Sequence, residues 1–211
     1  MPLPFIRQVG DFTGSGKTEM LFYAPNDGDW WLGHFSDTRM DWTLVGNTSG
    51  FGNLLEDHRF WLGHFSNLDQ IDLLFYTATD GNWWLGRFSA MQLRWSLACN
   101  TANFGNLNDN RPFWVGNFLG TKRADLLFYT PGDGNWWLGH FSDNQQLTWS
   151  KACNTSGFGN LNDGRPFWTG NFLGSGQMDL LFFSPTDNHW WLGHFSNSQL
   201  NWTLAHPGRA A

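Results

Sequence analysis

The sequence predicts an all-β fold, a four-bladed β-propeller in which each blade is a four-stranded antiparallel meander of about 53 residues. Three observations carry this. A double tryptophan recurs at Trp30-Trp31-Leu32-Gly33, Trp83-Trp84-Leu85-Gly86, Trp136-Trp137-Leu138-Gly139 and Trp190-Trp191-Leu192-Gly193, with steps of 53, 53 and 54 residues. Other motifs repeat in a fixed order around it: Phe60-Trp61-Leu62-Gly63, with counterparts at Phe113 and Phe167; Asp72 to Tyr76, with counterparts at Glu19, Asp125 and Asp179; and a closing Trp42, Trp95, Trp149 or Trp202. The composition suits short strands, with 15 Trp and 20 Phe against 25 Gly and 8 Pro that punctuate the chain. No stretch of a dozen residues has the period of an amphipathic helix.

Copy three shows the unit most clearly. Its apolar runs are Pro112 to Phe118, Ala124 to Thr130, Trp136 to Ser142 and Leu147 to Cys153. Gly120-Thr121-Lys122, Pro131 to Asn135 and Asp143-Asn144-Gln145 separate them with turn chemistry, which reads as a meander. Runs such as Leu-Leu-Phe-Tyr are apolar on both sides of the strand alternation, as expected of a sheet sandwiched between neighbours. The expected blades are approximately 5–46, 58–99, 111–153 and 165–206 of a single propeller domain, 1–211. Four blades in one ring splay by about 90° each, leaving wedges that aromatic side chains fill. The alternative is that two chains form a homodimer with a larger ring. A trefoil fits less well, because it wants three copies of a shorter unit.

Composition excludes several function classes. Charged residues are 14%, the net charge is −6 and no basic run occurs, so no nucleic-acid partner is expected. No apolar run approaches 18 residues, so no membrane span is expected. The first residues lack a signal-peptide pattern, which leaves a cytoplasmic or non-classically secreted protein as the expectation. Cys99 and Cys153 occupy equivalent places in neighbouring copies, about a blade width apart, so two thiols rather than a disulfide are expected.

The hairpin between the first and second runs reads Asp11-Phe12-Thr13-Gly14-Ser15-Gly16-Lys17-Thr18-Glu19 in copy one and Asn171 to Asp179 in copy four. It resembles the FG-GAP/VCBS repeat, over all four copies. The resemblance implies a propeller like the integrin α-subunit head and the propeller lectins of fungi and bacteria. In that family the hairpin can carry a calcium loop. Here copy one keeps only Asp11 and Glu19, and copy two has His64, Asp69 and Asp72, too few acidic oxygens for calcium. No metal and no cofactor are expected.

A meander puts the turn between strands two and three on the same face as the link to the next blade. The turns contain Asp80 and Asn82, Asp133 and Asn135, and Asp187, with Asn26 to Asp29 in copy one. The links run Asn47 to Asn53, Asn100 to Asn106 and Asn154 to Asn160, and continue to Arg59, Arg111 and Arg165. Within them lie Phe51, Phe104 and Phe158. Planar amides, carboxylates and guanidinium groups beside an aromatic ring are what sugar hydroxyls and the apolar face of a sugar ring require. The candidate carbohydrate-binding residues are therefore Asn47, Phe51, Asn53, Arg59, Asp80, Asn82, Asn100, Phe104, Asn106, Arg111, Asp133, Asn135, Asn154, Phe158, Asn160, Arg165 and Asp187. Asn and Gly also simply make turns, and the Phe can serve as a plug between blades. Three links predict three sites, with the fourth junction defective.

No copy carries a unique acid/base or nucleophile constellation, so no catalysis is expected. His34, His140 and His194, with Arg87 in copy two, follow the double tryptophan at equivalent positions and read as structural. Copied polar sites suit multivalent binding of glycans or glycoconjugates. The resemblance to propeller lectins points to N-acetylglucosamine or another N-acetylated or simple hexose. A protein-binding scaffold propeller is the alternative, and a glycosidase ranks last.

Overall fold

The computed structural model describes residues 6–54, 58–66, 68–109 and 111–207. It contains sixteen strands in four separate sheets. Blade one comprises β1 (Ile6–Gly10), β2 (Glu19–Ala24), β3 (Asp29–Ser36) and β4 (Arg39–Asn47). Blade two comprises β5 (His58–Gly63), β6 (Asp72–Thr77), β7 (Asn82–Ser89) and β8 (Gln92–Asn100). Blade three comprises β9 (Phe113–Gly116), β10 (Asp125–Thr130), β11 (Asn135–Phe141) and β12 (Leu147–Asn154). Blade four comprises β13 (Phe167–Gly170), β14 (Asp179–Ser184), β15 (His189–Ser196) and β16 (Gln199–Pro207). Each sheet is an antiparallel meander in chain order, the predicted blade. The blades group as two compact units, Met1–Asp109 and Asn110–Ala211, of two blades each.

The recurring motifs are cross-strand partners. Gly33, Gly86, Gly139 and Gly193 of the double-tryptophan motif pair with the closing Trp42, Trp95, Trp149 and Trp202. The indole lies over the glycine so closely that a Cβ on Gly86 would stand 2.5 Å from the Trp95 ring, and one on Gly139 2.7 Å from Trp149. The glycine is required because the ring occupies its side-chain space. A bulge falls between the two tryptophans in every blade. Such a bulge sharpens the local twist of the strand.

The first tryptophan is core. Trp30, Trp83 and Trp136 are fully buried, as are Tyr23, Tyr76 and Tyr129. In unit one the core joins Phe12, Leu21, Trp30 and Leu32 to Leu54, Leu73, Phe75 and Phe88. Unit two repeats it with Phe118, Leu127, Trp136 and Leu138 against Leu161, Leu180, Phe182 and Phe195. β6 is buried along its whole length, consistent with a sheet covered on both faces.

A buried carboxylate pins each hairpin between the first two strands. Glu19 accepts from the Phe12 and Thr13 amides, Asp72 from Ser66, Asp125 from Leu119 and Asp179 from Leu173. Burial pushes the Asp72 and Asp125 carboxyls above the ordinary carboxylate value, against the pull of these hydrogen bonds. His140 and His194 bond Asp125 and Asp179 through Nδ1, at 2.8 and 2.7 Å. These histidines therefore support the hairpin. Cys99 and Cys153 form no disulfide.

Candidate functional site

The turn between the second and third strands and the following link are built as one piece. In blade two, Asn82 donates its amide N–H to Asp80 Oδ1 at 3.0 Å and its Nδ2 to Asp80 Oδ2 at 2.7 Å. Gly81 has φ +74°, and a Cβ there would stand 2.6 Å from the Ala102 nitrogen, so the tight turn demands glycine. Asn100 then reaches back from the link, donating Nδ2 to Asp80 O at 2.8 Å and to Asn82 Oδ1 at 2.7 Å. The Thr101 amide donates to Gly81 O at 2.8 Å. The same bracket forms at Asn47 with Asp27 and Asp29, and at Asn154 with Asp133 and Asn135. Turn and link thus lie side by side on one face of their blade, as the meander requires.

A threonine anchors this surface to the core. Thr48, Thr101 and Thr155 accept from the buried indole N–H of Trp30, Trp83 and Trp136, each at 2.8 Å. The link then forms a single 3-10 turn: Ser49–Phe51, Ala102–Phe104 and Ser156–Phe158. Phe51 packs edge-on against Trp84 at 4.8 Å and Phe75 at 5.7 Å. Phe158 does the same against Trp191 at 4.7 Å. Just beyond, the Tyr23, Tyr76 and Tyr129 hydroxyls accept from the Leu54, Leu107 and Leu161 amides and donate to the Gly52, Gly105 and Gly159 carbonyls. This fixing leaves Asn53, Asn106 and Asn160 exposed on the link.

The arginines sit on aromatic rings. Arg59 lies over Trp61 at 5.6 Å, Arg111 over Phe128 at 5.4 Å and Arg165 over Phe182 at 5.4 Å. Arg165 also grips Asp163 with two bonds, Nε to Oδ1 at 2.8 Å and Nη2 to Oδ2 at 2.6 Å. This partner holds the Asp163 carboxyl down at about 2. Asp187 accepts from the His189 amide and from Trp191 Nε1.

The expected residues therefore divide. Asn47, Asn100 and Asn154, with Asn82 and Asn135, shape the face through their side-chain bonds. Asp80, Asp133 and Asp187 accept bonds within the turns and are exposed, and so are Asn53, Asn106 and Asn160, the last two of which accept from the Asn108 and Asn162 amides. Phe51 packs on rings of blade two and Phe158 on rings of blade four. The sequence reading passed over a cleft of about 430 Å³ on blade four, whose walls include Asp163, Arg165, Trp168, Phe183 and Trp190. Arg165 Nη1 is buried beside it without a hydrogen-bond partner. A signal was present: Phe183 stands where the other copies have tyrosine. Among the described residues no three His, Cys, Asp or Glu side chains gather as a metal set. No described helix is long and apolar enough to cross a membrane.

No family model matches the chain, and no curated protein does. Among solved structures, the chain is similar to an Agrocybe aegerita lectin whose structure concerns specific recognition of non-reducing terminal N-acetylglucosamine. The TM-score is 0.74 at 12% identity, over 95% of this chain and 52% of the lectin. The chain thus spans about half the length of that protein, and the likeness is one of fold.

Proposed function

We propose that this protein is a multivalent, non-enzymatic lectin that binds carbohydrate on the face formed by the turns and links. The observation that carries the reading is the repetition of one surface: a rigid Asp/Asn turn, bracketed to a link that presents an exposed asparagine. Fold likeness to an N-acetylglucosamine-recognising lectin supports it and makes terminal N-acetylglucosamine the first ligand to test. In this account the bracketing asparagines give the face its shape. Exposed Asn53, Asn106 and Asn160, with the turn carboxylates, meet sugar hydroxyls. Copies of a weak site gain avidity on a branched or clustered glycan.

The test is a glycan array of the intact protein and of the triple variant Asn53→Ala, Asn106→Ala, Asn160→Ala. These side chains are exposed, so the variant retains its fold, which circular dichroism checks. Binding by the intact protein to N-acetylglucosamine-terminated glycans, lost in the variant, is the expected result. Failure of the intact protein to bind any glycan refutes the function, and unchanged binding by the variant refutes the residue assignment.

A further inference from the structure

The three links share one bracket and differ at its tip. After the threonine, links one and three read Ser49-Gly50 and Ser156-Gly157, whereas link two reads Ala102-Asn103. These residues open the single 3-10 turn of each link, and all six are exposed.

The serine has a defined task. Its amide and its hydroxyl both donate to the bracketing asparagine. Ser49 reaches Asn47 Oδ1 at 2.9 Å through its amide and at 2.6 Å through Oγ. Ser156 reaches Asn154 Oδ1 at 3.0 and 2.7 Å in the same way. An amide oxygen accepts two bonds, so the serine saturates it. In link two the Ala102 amide donates to Asn100 Oδ1 at 3.0 Å, and alanine has no hydroxyl to give the second bond. No other described residue supplies one. The Asn100 Nδ2 still holds Asp80 O and Asn82 Oδ1, so this exposed oxygen is fixed in place with one acceptor position open. A group held ready in this way loses little freedom when a ligand binds.

The next position is an independent difference. A Cβ on Gly50 or Gly157 would meet nothing within 4 Å, and neither glycine has a positive φ. Asn103 places a carboxamide in that open space. The fold does not require it, because glycine serves in the other two links. A carboxamide carries an acceptor and a donor side by side, which complements two neighbouring hydroxyls on a sugar ring. Link three is the internal control. Its turn, Asp133-Gly134-Asn135, is closed by the same bonds as Asp80-Gly81-Asn82, so the surfaces of blades two and three differ at the link tip rather than in the turn.

Resting on the lectin reading above, we propose that link two is a sugar site of its own specificity, tighter than those of links one and three. Its ligand is a terminal pyranose with a free pair of vicinal hydroxyls. On a non-reducing terminal N-acetylglucosamine these are the 3- and 4-hydroxyls. The Asn103 carboxamide accepts from one and donates to the other, and Asn100 Oδ1 accepts from a further hydroxyl of the same glycan. Added neutral hydrogen bonds of this number raise affinity by about tenfold.

Titration calorimetry with a monovalent N-acetylglucosamine-terminated oligosaccharide tests this without avidity. The wild type is expected to show two classes of site, with one tight site per chain. Ala102→Ser with Asn103→Gly rewrites link two as link three, and is expected to merge the classes at the weaker affinity. Ser156→Ala with Gly157→Asn rewrites link three as link two, and is expected to create a second tight site. Every residue introduced already stands at the same place in a sister link, so both variants fold, which melting curves check. A 4-deoxy terminal sugar is expected to abolish the tight class. Equal sites in the wild type, or a tight class that survives the first variant or the deoxy sugar, overturn this inference and leave the lectin reading standing. Absence of all binding overturns both.

Discussion

The threonine at the start of each link gives a sharp test of how the turn-and-link surface is held. Thr101→Val keeps the shape of the side chain and removes its hydroxyl. Trp83 is fully buried, and its indole N–H donates to Thr101 Oγ1 at 2.8 Å. The same hydroxyl lies 3.4 Å from Gly81 O and donates to it. The variant strands a buried indole N–H with no water to replace its acceptor, which costs about 1–3 kcal/mol. The longer bond to Gly81 O contributes little. A loss near 2 kcal/mol shifts the melting temperature by roughly 8 °C or more if a unit of about 100 residues melts as one block. Urea denaturation and calorimetry measure both quantities, and Thr101→Ser serves as the control that keeps the hydroxyl. The expected pattern is a large loss for valine and a small one for serine. Equal effects, or a valine variant as stable as the wild type, refute the idea that this bond anchors the link.

Two further outcomes follow from named groups. Arg165 holds the Asp163 carboxyl down at about 2, below its ordinary 3.8. A depressed carboxylate contributes stability that is present above its unfolded value and lost as pH falls through the folded one. The urea midpoint of Asp163→Asn should therefore lie below wild type above pH 4, and the gap should shrink as pH falls toward 2; a gap undiminished at pH 2 contradicts the pairing. Burial pushes the Cys153 thiol up to about 11. Its alkylation by iodoacetamide at pH 8 is expected to run far slower than that of a solvated thiol, whose thiolate fraction is much larger, and equal rates contradict the burial.

Much of the fold was readable because the repeat is strict. Motif order alone placed all four meanders, and the alternation of turns and links placed the face. The pairing of Gly86 with Trp95 was not readable, since nothing in the spacing says that a ring needs the room above a glycine across the strand. The division among the asparagines was hidden for a chemical reason. Asn100 and Asn106 are both exposed, and only the bonds they make differ: Asn100 brackets the turn through Asp80 and Asn82, whereas Asn106 accepts from the Asn108 amide within its own link. Phe51 was readable either as a sugar platform or as a plug, and the structure packs it edge-on against Phe75 and Trp84 of blade two. The substitution of Phe183 for tyrosine was visible, but its meaning depends on knowing that Tyr23, Tyr76 and Tyr129 serve the link backbone.

Native mass spectrometry with an N-acetylglucosamine-terminated oligosaccharide tests the central claim most directly, because it counts ligands bound to each chain. Multivalent binding on repeated links predicts successive complexes, up to three per chain, that disappear together in the triple asparagine variant. A chain that takes up no oligosaccharide, or never more than one, contradicts the account.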